Sequence, residues 1–289
     1  VVPISEGFPS MWMRERSRIK ASQLPLWVAF VLLMTGLAAG ISTPAMAQMP
    51  GPPKYSDDSI VHGATFAKGD FAPNTFISIF GENLAWSTRA VSAANLESNT
   101  LPISLGGVQV LIGPTHGYLV FVSPGQINAL VDSRLTAGTY QVRVLRDSVA
   151  GPPASIRIAE TAPGLFAVAD GFPVVTRPDG SLVTITNPAR PGQIVILWAT
   201  GLGSTNPPLR PGELARGAAP LQRSAEFQIA LNGKPVPVGN VLYAGIAPGF
   251  AGLYQINLLL PEDTPANPTV RVGIGTVLSA VNQMIYVTP

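Results

Sequence analysis

Apolar residues recur along this chain in short runs broken by Gly and Pro, and within several runs they alternate with polar positions. In Phe76-Ile77-Ser78-Ile79-Phe80 a period of two sets Phe76, Ser78 and Phe80 on one face and Ile77 and Ile79 on the other, the pattern of a strand partly buried on both sides. In Gln126-Ile127-Asn128-Ala129-Leu130-Val131 the residues Ile127, Ala129 and Val131 share a face, while Gln126, Asn128 and Leu130 point the opposite way. Gln255, Asn257 and Leu259 repeat that arrangement. Amides beside an outward leucine predict a face covered by loops or by a neighbouring domain, where the amides satisfy backbone groups.

The strands also repeat as a set. Pro73-Asn74-Thr75-Phe76-Ile77-Ser78-Ile79-Phe80-Gly81-Glu82-Asn83-Leu84 lines up with Pro191-Gly192-Gln193-Ile194-Val195-Ile196-Leu197-Trp198-Ala199-Thr200-Gly201-Leu202. Ile103-Ser104-Leu105-Gly106-Gly107 matches Ile229-Ala230-Leu231-Asn232-Gly233, each a strand entering a hairpin turn that tolerates positive φ. Gln126-Ile127-Asn128 then matches Gln255-Ile256-Asn257, and Val142-Arg143-Val144 matches Val270-Arg271-Val272. The offsets, 118, 126, 129 and 128, keep one order with insertions confined to loops. A unit of this length, with several short strands separated by Gly/Pro turns, suits an immunoglobulin-like sandwich; solenoid units are shorter. The predicted fold is all-β: two tandem immunoglobulin-like β-sandwich domains behind an N-terminal signal segment. The predicted organisation is leader and signal peptide over residues 1–47, linker or tail over 48–69, and the first sandwich over 70–160. An inter-domain segment follows over 161–190, then the second sandwich over 191–289. Residues 165–168 and Val174-Val175 offer further strands around the turn Pro178-Asp179-Gly180-Ser181, assigned to neither sandwich.

Composition supports this reading. Charged residues at 12%, with 29 Gly and 29 Pro among 289 residues, disfavour long amphipathic helices and coiled coils. A hydrophobic content of 46% supplies the apolar surface that a charge-driven disordered chain lacks. Near the N-terminus Arg14, Arg16, Arg18 and Lys20 precede an uncharged apolar run over 26–41, too short to span a bilayer as a helix. Ala45-Met46-Ala47 before Gln48 then supplies the small-x-small pattern of a signal peptidase site. The expectation is cleavage after Ala47 and a secreted or cell-envelope location, with membrane contact only through the signal segment. Residues 1–10 read as leader sequence ahead of a start at Met11 or Met13. Removing the four basic and two acidic residues of the first 47 leaves 14 of each, so the formal charge of +2 belongs to the targeting segment. With no basic run elsewhere, nucleic acid is not an expected partner. The absence of cysteine excludes disulfides and a lipid-modified cysteine, so stability must come from core burial.

Several spaced motifs in one order carry a family resemblance: Ser123-Pro124-Gly125-Gln126-Ile127-Asn128, Asn187-Pro188-Ala189-Arg190-Pro191-Gly192, Ala199-Thr200-Gly201-Leu202-Gly203, and the run from Tyr243-Ala244-Gly245 through Gly252-Leu253-Tyr254-Gln255-Ile256-Asn257. At these motifs the chain resembles the Solibacter-type C-terminal domain family, secreted modules abundant in acidobacteria, over about residues 60–287. Phe76-Ile77-Ser78-Ile79-Phe80-Gly81-Glu82-Asn83-Leu84 looks like the opening strand of IPT/TIG immunoglobulin-like domains, on nine residues. The resemblance implies a fold and export, with no assigned activity. It marks Gln126, Asn128, Gln255, Asn257, Gly81 and Gly201 as motif residues with a structural role. Such modules commonly close larger secreted proteins, whereas this one stands almost alone behind its signal.

Chemical signatures are sparse. His62 and His116 are the two histidines, 54 residues apart, so no zincin motif exists. No G-x-S-x-G elbow, phosphate loop or dinucleotide fingerprint is present. The adjacent acid pairs, Asp57-Asp58 and Glu262-Asp263, fall in the tail and in a turn, and neither resembles a calcium loop. His116 reads as a surface-loop residue. No catalytic, cofactor or metal site is therefore expected. Among the aromatics, Trp198 and Tyr254 lie within strand patterns and are expected in the core, while Trp86 and Phe250 lie in loops and are the candidate ligand or partner contacts. The loop over 203–222 is long for a sandwich, and long loops are functional or mobile. The expected function is a secreted, non-enzymatic interaction or adhesion module with an unidentified protein or glycan partner at the cell exterior. The alternatives are a carbohydrate-binding module and a hydrolase with dispersed carboxylates.

Overall fold

Alternating β-branched and aromatic residues fit a pleated, half-buried surface, and they form the strands in this protein. The computed structural model describes residues 51–168 and 172–289; the signal segment read at 1–47 lies outside them. In the first half the chain forms β1 (Ile60–His62), β2 (Phe76–Phe80), β3 (Arg89–Ala90), β4 (Val108–Ile112), β5 (Thr115–His116), β6 (Tyr118–Val122), β7 (Gln126–Leu130), β8 (Gly138–Arg146), β9 (Val149–Ala150) and β10 (Ala154–Ile158). One antiparallel sheet has the order β1-β2-β7-β6-β3, and the facing sheet has the order β10-β8-β4-β5 with β9 beside β8. Ile60, Ile77, Ile79, Leu119, Ile127 and Ala129 from the first sheet meet Val110, Ile112, Val142, Val144 and Ile156 from the second in one core. Each such aliphatic side chain contributes about 1.5–3 kcal/mol by leaving water.

The second half forms β11 (Gly164–Leu165), β12 (Val175–Thr176), β13 (Ile194–Thr200), β14 (Ala219–Pro220), β15 (Phe227–Leu231), β16 (Lys234–Pro235), β17 (Val241–Ile246), β18 (Tyr254–Leu259), β19 (Val270–Ile274) and β20 (Val277–Leu278). Its sheets run β11-β13-β18-β17-β14, with β12 also on β13, and β16-β15-β19-β20. Val195, Leu197, Ile256 and Leu258 meet Ile229, Leu231, Val270 and Val272 in a second core. In each half the strand order places A, B, E and D on one sheet and C, F and G on the other, so the protein is all-β and immunoglobulin-like.

The two halves share pairing register as well as strand order. Phe76 faces Leu130, Ser78 faces Asn128 and Phe80 faces Gln126. In the second half Ile194 faces Leu259, Ile196 faces Asn257 and Trp198 faces Gln255. The next strand pair carries a bulge at the same place in both copies, between Leu119 and Phe121 and between Val241 and Tyr243. One hairpin match needs correction. Val110 faces Val144 and Ile112 turns through Gly113 to Thr115, whereas Ile229 faces Val272 and Leu231 turns through Asn232 to Lys234. The partner of the Ile229–Gly233 segment is therefore the run from Val110 to Pro114, at an offset of 119. Gly106-Gly107 and Asn232-Gly233 both adopt positive φ, so turn chemistry alone does not distinguish the Ile103–Gly107 run from the hairpin that shares the register.

Each repeat begins earlier than its composition suggests. Lys54 bridges to Glu82 and β1 pairs with β2, so within residues 54–62, expected in a linker or tail, the bridge at Lys54 and the strand β1 edge the first sandwich. Within the expected inter-domain segment, β11 and β12 both pair with β13 and form the equivalent strand of the second. Pro-rich sequence obscured these strands because Pro is tolerated at sheet edges, where one side of the strand needs no ladder partner.

Candidate functional site

The two sandwiches meet through polar groups that water does not reach. Thr200, wholly buried at the end of β13, accepts a hydrogen bond from the Phe76 backbone N–H at 3.2 Å. Its hydroxyl lies 2.9 Å from the Gly252 carbonyl and 3.1 Å from that of Asn74, either of which can accept its proton. His62, 7% exposed, donates from Nε2 to the Ala162 carbonyl at 3.0 Å, while its Nδ1 accepts from the Ala64 N–H at 3.2 Å. The Ala64 donor fixes the proton on Nε2 and keeps the ring neutral, and burial lowers the His62 pKa to about 4. Gly252 sits where a Cβ would come within 2.1 Å of Leu130, which explains the outward leucine beside the amide pair: the second sandwich covers it. Phe76 and Phe166 add a ring contact at 6.4 Å.

The long 203–222 loop reaches across this junction. Leu101 N–H donates to Gly212 and Leu214 N–H to Asn99, each at 2.9 Å, and the Asn99 side chain donates to Leu214 at 2.6 Å. The loop is thus a clamp between sandwiches. Phe250 belongs to this region; it is half-buried and its carbonyl accepts from Ala215 in the same loop. The amides of the motif strands are also internal. Gln126 Nε2 and Ser78 Oγ both donate to Asn128 Oδ1 at 2.9 Å, and Gln255 Nε2 donates to Asn257 Oδ1 at 2.8 Å. A Cβ on Gly81 would lie 2.1 Å from the Lys54 carbonyl, and one on Gly201 would lie 2.0 Å from the Ala162 carbonyl, so both glycines let an outer strand approach.

Trp86 lies at the opposite end of β2, in the connection from β2 to β4, and is 47% exposed. The Arg146 guanidinium lies 4.0 Å from its ring centroid, and the indole N–H donates to Asp147 Oδ2 at 2.5 Å. Arg146 is itself 3% exposed and donates to the carbonyls of Asn83 (2.6 Å) and Gly51 (2.9 Å). Asp147 and Ser148, both at positive φ, form the tight turn between β8 and β9. Trp86 is therefore backed on one face, pinned at its edge, and presented between the B–C connection and the F–G turn. These are two of the connections that carry the binding loops of immunoglobulin variable domains. Pattern reading selected Trp86 but missed Arg146 and Asp147, whose only local signal is the Asp-Ser turn. His116, expected in a surface loop, lies half-buried in β5.

Among the described residues no group of three or more His, Asp or Glu is placed to hold a metal. A cleft of about 470 Å³ is lined by Arg177, Asp179, Asn187, Arg190 and Gln193, and one of about 420 Å³ by Lys54, Tyr55, Phe80 and Glu82; neither joins two carboxylates. No helix among the described residues is long and apolar enough to cross a membrane.

No protein-family model matches the chain, and no curated protein matches it. Among solved structures, the surface glycan-binding protein PbSGBP-B from Prevotella bryantii is similar at 12% identity and a TM-score of 0.26, over 82% of this chain and 42% of that one. SGBP-B of the Bacteroides ovatus mixed-linkage glucan utilization locus is similar at 11% identity and a TM-score of 0.34, over 84% and 46%. Domains 5–6 of the S-layer protein SbsC are similar at 10% identity and a TM-score of 0.26, over 81% and 98%. The chain thus spans less than half the length of the two glycan-binding proteins.

Proposed function

We propose that this protein is an exported, non-enzymatic binding module that meets its partner with the B–C/F–G end of the first sandwich. The observation that supports this is a difference between two copies of one fold. In the second sandwich the corresponding end, with its long 203–222 loop, grips the first sandwich. In the first sandwich the same end carries an exposed, braced Trp86. The buried polar junction holds both sandwiches as one body, which lowers the conformational entropy lost on binding.

The test is saturable binding of the purified protein to envelope material from the producing cells. Attaching a bulky maleimide adduct to Ser148→Cys, at the F–G turn, is expected to abolish that binding, whereas the same adduct on Val238→Cys, 86% exposed on the second sandwich, is expected to leave it intact. Equal binding by both adducts would place the contact elsewhere.

A further inference from the structure

We infer that Trp86, Arg146 and Asp147 form a stacking platform for a saccharide ring, an assignment that rests on the binding-module reading. The internal repeat acts as a control for what the fold itself needs. The offset of β2 to β13 carries Trp86 onto Ser204, and the offset of β8 to β19 carries Arg146 and Asp147 onto Ile274 and Gly275. The second sandwich folds without any member of the trio. Burying a guanidinium is costly unless its donors are paired, and here two backbone carbonyls and an indole face hold it. That investment fixes the plane of a side chain that is nearly half exposed and contributes little to the core.

The surroundings select the ligand. Ser87, Thr88, Arg89, Asp147 and Ser148 are all exposed, so the indole stands in a largely polar setting, with Val149, 49% exposed beside the same turn, as an apolar neighbour. A protein interface is expected to offer a contiguous, fully desolvated apolar centre, and one ring beside one valine among polar side chains is small for that. An organic cation would meet the charge of Arg146 behind the same ring. A pyranose fits both features: its axial C–H face is apolar and stacks on an indole, and its rim of hydroxyls can hydrogen-bond the Asp147 carboxylate at the indole's edge. With Arg146 closing one face, the ring has one face to offer, so stacking is single-sided.

The test uses the full chain in affinity electrophoresis through gels containing soluble β-glucan, xylan, mannan or starch, with tryptophan fluorescence on titration of the retarding polymer. Retardation by at least one polymer is expected, with Trp86→Ala weakening it about tenfold or more and Trp86→Phe retaining part of it. A single cooperative unfolding transition of Trp86→Ala well above the assay temperature would show that the loss is local. No retardation in any gel, or retardation of Trp86→Ala equal to that of the unsubstituted chain, would overturn the saccharide assignment. If polysaccharides fail while the Ser148→Cys adduct still blocks envelope binding, the saccharide is wrong and the binding end stands; if the adduct also has no effect, both fall.

Discussion

Acid should loosen the junction through one residue, His62. Its ring is buried between the Ala64 N–H and the Ala162 carbonyl, and a second proton on Nδ1 would point at a donor. The folded pKa of about 4 lies below the unfolded value of 6.5, so between these values the unfolded chain binds more protons than the folded one. The stability contributed by neutral His62 is therefore complete above about pH 6.5 and falls as pH drops, being lost as pH passes below the folded pKa near 4. At about 1.4 kcal/mol per pKa unit the full span is about 3 kcal/mol, a sizeable share of the 5–15 kcal/mol typical of a domain. Urea unfolding at a series of pH values from 7.5 to about 3.5 measures it, with the buried Trp198 as one fluorescent reporter. Carboxylates add their own slope below about pH 5, so the comparison is with His62→Gln, which can still donate to Ala162 but does not titrate. That variant should lose stability at neutral pH and show a flatter curve between pH 6.5 and 4. Parallel curves for the two proteins would show that His62 does not titrate in this way and would refute the reasoning.

Other substitutions probe the same contacts. Thr200→Val keeps the shape but removes the hydroxyl that accepts from the Phe76 N–H and faces the Asn74 and Gly252 carbonyls, at an expected cost of about 1–3 kcal/mol in denaturant unfolding; a change under about 0.5 kcal/mol would mean that the hydroxyl is dispensable. Gly252→Ala should destabilise by a similar amount, about 1–3 kcal/mol, because the new Cβ meets Leu130 at 2.1 Å and the residue sits at a φ of +66°. Hydrogen exchange should show the first protection lost in that variant at residues 74–76 and 128–131. Trp86→Ala should cost about 1–2 kcal/mol, because a half-exposed ring covers a buried guanidinium, and calorimetry showing a larger loss would assign Trp86 to the fold.

The strands were legible because period two survives in them: Ile77, Ile79, Ile127 and Ala129 face the core as their alternation requires. The repeat was legible for the same reason, and its weakest match failed where only a turn carried it. Glycine-glycine and asparagine-glycine turns report local φ and say nothing about which strands they join. The outer strands at residues 60–62, 164–165 and 175–176 were hidden because each contributes only two or three paired residues, too few for an alternation to show. His62 and Thr200 gave no signal, since their roles depend on groups 100 and 124 residues away. Trp86 stood out as a large aromatic in a loop, but its supports come from β8 and the turn that follows it, and only the folded sandwich brings them together.

The shared register also bears on how the chain avoids misfolding. Two sandwiches with the same ladder in one polypeptide invite exchange, because β2 could pair with β18 and β13 with β7 at no cost in backbone hydrogen bonds. Side-chain volume opposes it. In the native pairs Ile77 lies opposite Ala129 and Val195 opposite Leu258, a large residue against a small one and a medium one against a large one. Exchange would set Ile77 against Leu258 and Val195 against Ala129, overfilling one core and leaving a void in the other. Divergence between the copies thus works as a proofreading device, and making them more alike at these four positions should raise the yield of swapped, aggregation-prone chains during refolding.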